Sequence, residues 1–560
     1  MKGVRESEID GVLCFWVDME RPATCAHLLF RQGLADEPFH ERGWLHLLEH
    51  LALLDRETLT RPIEGRLTLL LTHFAAFGGP EAIVEQLGNL ARWLAAPDLR
   101  LLPRERGLLQ AQSSEPGDWL TRSLTWRYGA NGPGVASYAE IGAGRATGPL
   151  LIERSRRVFN ASNAVLVLDG SPPAGLTLPL PTGEYLPAPA ALPLRRELPA
   201  AYRDEGGLTL SGVVTRTHEA EFLPLVLERA LHDGLRRYSG GAYALWSSMA
   251  DVDNQSAVVA GGSEVVDEML PTLAAAALEI TGQLAEDGVP REWVQEAVDH
   301  RLRLLESPAA RIETALEAAY SALSDRVPLS YEELLAQLRG TDPTGVDRAA
   351  KELHASLLVG LPEAAPLTRA LPAVTFPALT PQSTGRKHSH ANWPAELSTF
   401  SVDDKVAERL TGGTCRLMHL KDVVALLAWR DGARHLIGRD GTFLEMEPRE
   451  WVNGKELTKA LDAAIPSHLQ VAMGDRAATF RRMGPVARAA TAFGRVANTR
   501  AGLLALMAVV ALVVIWTMVA DHLVLGSVFM LVAVALGIQL WHTESGHAPS
   551  ASAPPPTTVS

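Results

Sequence analysis

Along the first 175 residues, stretches of strand-like alternation trade places with stretches of helical spacing. Residues 12–17 and 25–31 read as strands, 41–54 as a helix and 66–77 as a further strand. Residues 80–96 place apolar side chains at helical intervals behind a proline in the first turn, where its fixed φ suits a helix start. Residues 163–168 (NAVLVL) are apolar on both faces, the pattern of a buried strand. The Pro-rich stretch 171–199 then reads as a linker.

The same reading predicts a second block over 200–360: a strand at 208–217, a helix at 220–236, two strands flanking 251–255, and long Ala/Leu/Glu-rich helices over 265–357. This order of elements suits an α+β layer, with helices gathered on a sheet. A second Pro-rich linker covers 361–394. Residues 395–475 carry short strand patterns punctuated by Gly412-Gly413, Asp431-Gly432 and Asp440-Gly441, which are hairpin signals, and end in a helix at 453–464. Several hairpins and one closing helix predict a small β-rich barrel of pleckstrin-homology-like topology.

The C-terminal pattern is different. Residues 501–520 and 523–541 are uncharged apolar runs separated only by Asp521 and His522. Each is long enough to cross a hydrocarbon core of ~30 Å as a helix, so the pair predicts a transmembrane hairpin over 501–541. Residues 476–500 hold six arginines and no acid, which by the positive-inside rule keeps the large N-terminal part in the cytoplasm. The expected location is therefore a cell membrane crossed twice. The tail, 542–560, has the Pro/Ser/Thr-rich composition of a disordered segment. A net charge of −13 argues against nucleic acid as a partner, because no basic excess is available to neutralise phosphates. Three scattered cysteines are too few for a disulfide framework.

One motif carries chemistry. His46-Leu47-Leu48-Glu49-His50 lies within a helical apolar pattern, and residues four apart share a helix face, so both imidazoles can reach one metal ion. Glu49 beside them can take a proton from a metal-activated water. His388 and His390 lie in the second linker without acidic or cysteine partners and are expected in a solvated loop; His73 and Phe74 are expected to pack core or cleft. No phosphate loop, dinucleotide glycine pattern or serine or cysteine nucleophile context occurs.

The order H-x-x-E-H, together with residues 26–54 around it (AHLLFRQGLADEPFHERGWLHLLEHLALL), is similar to the start of the insulinase/pitrilysin family of inverted zincins. The resemblance covers about residues 10–360 and implies two tandem insulinase-like α/β-roll domains, 1–175 and 200–360, a Zn2+ cofactor and peptide substrates. It implies a supporting glutamate, here Glu105, and a third metal ligand seven residues on, where this chain has Gln112. Glutamine offers a carbonyl oxygen without the charge of a carboxylate, so the metal is held less strongly; Glu115 is a candidate substitute. Arg236 and Tyr243 match the pair that in the family grips the substrate and stabilises the developing oxyanion. A chain with one such half implies a homodimer or a heterodimer with a related subunit. Two functions follow as alternatives: a membrane-anchored zinc endopeptidase for unstructured peptides, or an inactive peptide-binding or scaffold protein with a degraded zinc site.

Overall fold

The structure, a computed structural model, describes residues 4–17, 19–54, 63–112, 119–204, 207–235, 242–265, 269–306, 310–363, 371–374 and 379–476, with isolated positions between 480 and 508. These form two compact units that divide at Phe376 and Pro377, except that Ile437–Thr442 group with the first.

The first unit holds two sheets. One has six strands: β1 (Val4–Ile9), β2 (Val12–Val17), β3 (Cys25–Arg31), β4 (Glu64–Leu67), β5 (Leu71–Phe77) and β6 (Ala164–Leu168). They lie in the order β1-β2-β6-β3-β5-β4, with only β2 and β6 parallel. Five helices belong to this part: α1 (Trp44–Leu53), α2 (Pro80–Ala95), α3 (Leu102–Gln112), α4 (Trp119–Tyr128) and α5 (Gly148–Val158). Side-chain alternation divides the sheet into two faces. Leu28, Phe30, Phe74 and Leu166 join a core with α1, α2 and α5, while Leu29, Val165 and Val167 join a separate core on the other face. β6 is therefore buried on both sides, which is why its sequence does not alternate.

The second sheet has five strands, β7 (Ala200–Arg203), β8 (Leu208–Thr215), β9 (Ala242–Asp251), β10 (Ser256–Val265) and β11 (Leu358–Leu361), in the order β7-β11-β8-β10-β9. Helices α6 (Leu223–Leu235), α7 (Leu270–Glu286), α8 (Arg291–Leu305), α9 (Ala310–Ala322), α10 (Tyr331–Arg339) and α11 (Pro343–Ala355) accompany it. α6, α7 and α11 build its core. α9 instead packs on β2 and β6 of the first sheet, where Ala315, Ala318 and Ala319 close the face that α1 leaves open.

The second unit comprises strands β12 (His388–Ser389), β13 (Thr399–Val402), β14 (Val406–Thr411), β15 (Thr414–His419), β16 (Val423–Ala428), β17 (Arg434–Gly438), β18 (Phe443–Met446) and β19 (Gln470–Ala472), with helix α12 (Gly454–Ala464). They form two four-stranded sheets, β12-β13-β14-β15 and β18-β17-β16-β19, over one core that includes Phe400, Leu426, Trp451 and Leu461.

Several expectations need correction. The strand expected over 66–77 is two strands, β4 and β5, joined by a turn in which the Thr68 amide donates to the Leu71 carbonyl. His73 consequently sits within β5, with Nε2 2.9 Å from His27 Nδ1, and Phe74 is fully buried. His388 and His390 are buried, not solvated: His388 Nδ1 bonds the Val452 carbonyl and His390 packs edge-on against Trp451. The apolar runs 501–520 and 523–541 and the tail 542–560 lie outside the described residues, among which no helix is long and apolar enough to cross a membrane.

Candidate metal centre

The helix bearing the H-x-x-E-H motif begins at Trp44, three residues later than its apolar pattern suggests. Gly43 before it takes φ +100°, a conformation open to glycine and strained for other residues. Glu37, itself buried, supplies the missing cap: its carboxylate accepts from the Gly43 and Leu45 amides and pairs with Arg42. A negative charge at a helix N-terminus also complements the positive end of the backbone dipoles. Leu45, Leu47, Leu48 and Leu51 bury the rest of α1 in the core. His46 and His50 are left on a partly open face, with 30 % and 22 % of their side chains exposed, while Glu49 is 7 % exposed.

The two imidazoles face one another at 4.4 Å between ring centroids. One ligand atom each from His46, Glu49 and His50 lies within 4.8 Å of the others, the one such group found among the described residues. Both Nδ1 atoms are occupied by carboxylates. His46 Nδ1 is 2.8 Å from Glu140 Oε1, and His50 Nδ1 is 3.4 Å from Glu105 Oε2. A carboxylate on Nδ1 fixes the tautomer with that nitrogen protonated, so each Nε2 lone pair is free for a cation. The donor set, two neutral imidazoles with carboxylates behind them, therefore fits zinc.

Charge follows this geometry. Burial lowers the affinity of His46 for a proton, but the hydrogen bond and charge of Glu140 outweigh it and the pKa rises. His50 moves down, first through burial and then through the neighbouring His46, with Glu105 opposing. Burial pushes Glu49 up to about 7, with His46 opposing and Glu140 adding to the rise.

Glu105 stands on α3, which packs against α1. Gln112 closes α3, two turns further along the face of Glu105, and its side chain lies outside the described residues. Glu115 and Arg236 lie outside them altogether. Tyr243 is placed only as backbone of β9, opposite Glu264, and its side chain is likewise outside.

Sequence reasoning missed two residues of the site. Glu140 is 94 positions from His46 in an irregular segment, and no local pattern connects them. Gly65 on β4 lies against Glu49: a Cβ there would stand 1.9 Å from Oε1 of that carboxylate. The one available signal was a glycine inside a strand pattern, which marks close approach of another group.

No protein-family model matches the sequence, and no curated protein is found to be similar to it. Solved structures do match. The peptidase M16 inactive domain from Pseudomonas fluorescens aligns with a TM-score of 0.53 and 14 % identity over 65 % of this chain and 99 % of that one. The first half of the periplasmic protease PqqL from Escherichia coli aligns at 0.50 and 13 % identity, over 64 % of this chain and 92 % of its own. A protease from Helicobacter pylori aligns at 0.51 and 12 % identity, over 64 % and 99 %. Identities this low carry the fold and not the activity. The chain thus has the fold of one half of an insulinase/pitrilysin (M16) peptidase, as the resemblance in its sequence implied.

Proposed function

We propose that this protein is a zinc-dependent endopeptidase acting on extended, unstructured peptides. The observation that carries the reading is the pair of carboxylates, Glu140 and Glu105, that hold the Nδ1 sides of His46 and His50. A helix with two surface histidines has no need of such buried partners. His46 and His50 would hold the zinc, with Gln112 or Glu115 as third ligand. Zinc, when bound, supplies a Lewis acid and makes water a competent nucleophile near neutral pH. Glu49, the shielded carboxylate between the imidazoles, accepts the proton that the attacking water loses and can return it to the leaving amine.

The first sheet supports the choice of an extended substrate. β4 is its edge strand, with β5 on one side and no other described strand on its second. An extended peptide added to that edge gains main-chain hydrogen bonds without regard to its side chains. Gly65 allows β4 to run directly against Glu49, so a peptide laid along this edge passes beside the base. Arg236 and Tyr243 are proposed to hold the substrate backbone, and pairing with a second or related subunit to complete the chamber. The arginines over 476–500 and the two apolar runs support a membrane tether with the peptidase unit on the cytoplasmic side.

A second reading has its own observation: glutamine at position 112, where the resemblance implies a charged ligand. An inactive peptide-binding protein would retain this fold. Zinc content and cleavage of an unstructured quenched-fluorescent peptide, measured for the wild type and for Gln112→Glu, separate the two. The peptidase reading expects bound zinc and cleavage in the wild type, lost with Glu49→Gln while zinc is retained. Metal and activity in neither protein defeat it; activity in Gln112→Glu alone makes the chain a lapsed peptidase.

A further inference from the structure

The second unit carries a surface that the peptidase site does not use. The loop after β12 exposes Trp393 and Leu397, at 58 % and 54 %, and Val452 beside it is 48 % exposed. One backbone network joins the three. The Val452 amide donates to the Ser389 carbonyl, the Trp393 amide to that of His390, and the His390 amide to that of Ser398. Scattered apolar residues at a surface are ordinary; a tryptophan and two aliphatics around one loop form a patch.

Described residues between 480 and 488 pack on the same loop. Phe480 packs edge-on against His390, the Met483 amide donates to Asn392 Oδ1, and Arg488 Nη1 donates to the Ala391 carbonyl. Arg482 beside them is exposed. Glu396, the acid of the loop, is half-buried and accepts from Ser398 Oγ. Arg476 belongs to another cluster, bonded to Glu447 and Asp431. Residues 489–500 then lead to the first apolar run; twelve residues span at most about 42 Å even when fully extended.

We propose that this face, with Trp393, Leu397, Val452, Arg482 and Arg488, seats on an anionic lipid bilayer. The proposal rests on the reading that residues 501–541 enter the membrane. A short tether beginning at a face holds that face toward the bilayer. Tryptophan is enriched at headgroup depth, where its ring is partly desolvated and its N–H stays wet. Arginines beside an apolar run attract anionic headgroups, each worth about 1 kcal/mol near the surface. The apolar residues would be half-inserted between headgroups, and Arg482 and Arg488 would lie against phosphate and carboxylate.

The test uses the full chain with Leu397→Cys carrying an environment-sensitive fluorophore, in a Cys25→Ser background because Cys14 and Cys415 are buried. It is reconstituted in phosphatidylcholine vesicles with or without phosphatidylserine, and compared with the detergent-solubilised protein. The expected result is a blue-shifted emission severalfold brighter in phosphatidylserine vesicles, smaller without that lipid, and abolished by Arg482→Glu with Trp393→Ser at an unchanged melting temperature. Protein that withstands alkaline carbonate but fluoresces as in detergent overturns the seating and leaves the tether standing. Extraction by carbonate overturns both. Emission that brightens in detergent as protein concentration rises also overturns it, assigning the face to a second copy of the chain.

Discussion

At the scale of single residues, the site is built from a pair that the sequence displays and partners that it hides. His46 and His50 are legible because four positions make one helical turn, a relation written in local spacing. Glu140 is not, because its place beside His46 depends on how a distant irregular segment closes on α1. Its contribution can be measured. Replacing Glu140 by glutamine keeps a hydrogen-bond acceptor but removes the charge that fixes the imidazole, and loss of such a partner weakens metal binding by roughly 10- to 100-fold. Competition of the protein for zinc against a chelator should show that drop, with little change in fold. Gly65 gives a sharper expectation. The atoms a new Cβ would meet are the end of the Glu49 side chain and not backbone, so Gly65→Ala should fold and should displace the carboxylate. A shift of about 1 Å in a reacting group can cost on the order of 100-fold in rate. Zinc content near the wild-type level with kcat reduced by such a factor is the expected pair of results; unaltered kcat would mean that Glu49 has no fixed position to lose.

Elements were legible where periodicity and punctuation agreed. α2, with its proline start, and β6, apolar throughout, read plainly from the chain. β4 and β5 did not separate, because the turn between them, Thr68-Leu69-Leu70, holds two leucines and none of the usual turn residues. The second unit had the opposite difficulty: its first strand, β12, lies in a stretch whose prolines and histidines read as linker, and tertiary contact with Val452 overrides that local signal. A turn in the same unit gives a pH prediction. Asp403, between β13 and β14, accepts from the Lys405 and Val406 amides and from both the amide and the hydroxyl of Thr384. Burial tends to raise its pKa, yet these donors together hold it down at about 2, below the usual carboxylate value of ~4. A depressed folded pKa contributes stability that is complete above the unfolded value and disappears as pH falls through the folded one. Hydrogen exchange across residues 399–411, corrected for intrinsic rates, should therefore lose protection between about pH 4 and pH 2. Asp403→Asn should flatten that dependence while lowering protection at neutral pH; an unchanged acid profile would refute the assignment.

In the first unit as a whole, the two sheets act as one body, and part of the reason is a shared core in which Val258 of β10 joins Phe15, Val165 and Val167 of the first sheet. The sequence showed two blocks with a Pro-rich linker between them, and it could not show that α9 of the second closes the first sheet, since three alanines on one helix face carry no address. A second tie is polar. Arg127 on α4, 3 % exposed, reaches the second block, where its guanidinium donates to the Ser211 carbonyl, the Ser211 hydroxyl and the Ser356 carbonyl. Burial pulls its pKa down to about 10, still protonated at neutral pH, so the charge is held by the dipoles of Ser211 and Ser356 in the second block. Arg127→Met fills much of the same volume but strands those acceptors, each buried unsatisfied group costing about 1–3 kcal/mol. Removal of a desolvated cation offsets part of that loss. A net destabilisation of roughly 2–4 kcal/mol follows, and it should be borne where the two blocks meet. Denaturant unfolding should show the midpoint shifted down, and hydrogen exchange should open first around Ser211 and Ser356. If protection at those two positions matches the wild type while the midpoint falls, Arg127 stabilises α4 alone and the junction of the two sheets rests on the apolar core that α9 and Val258 share with the first sheet.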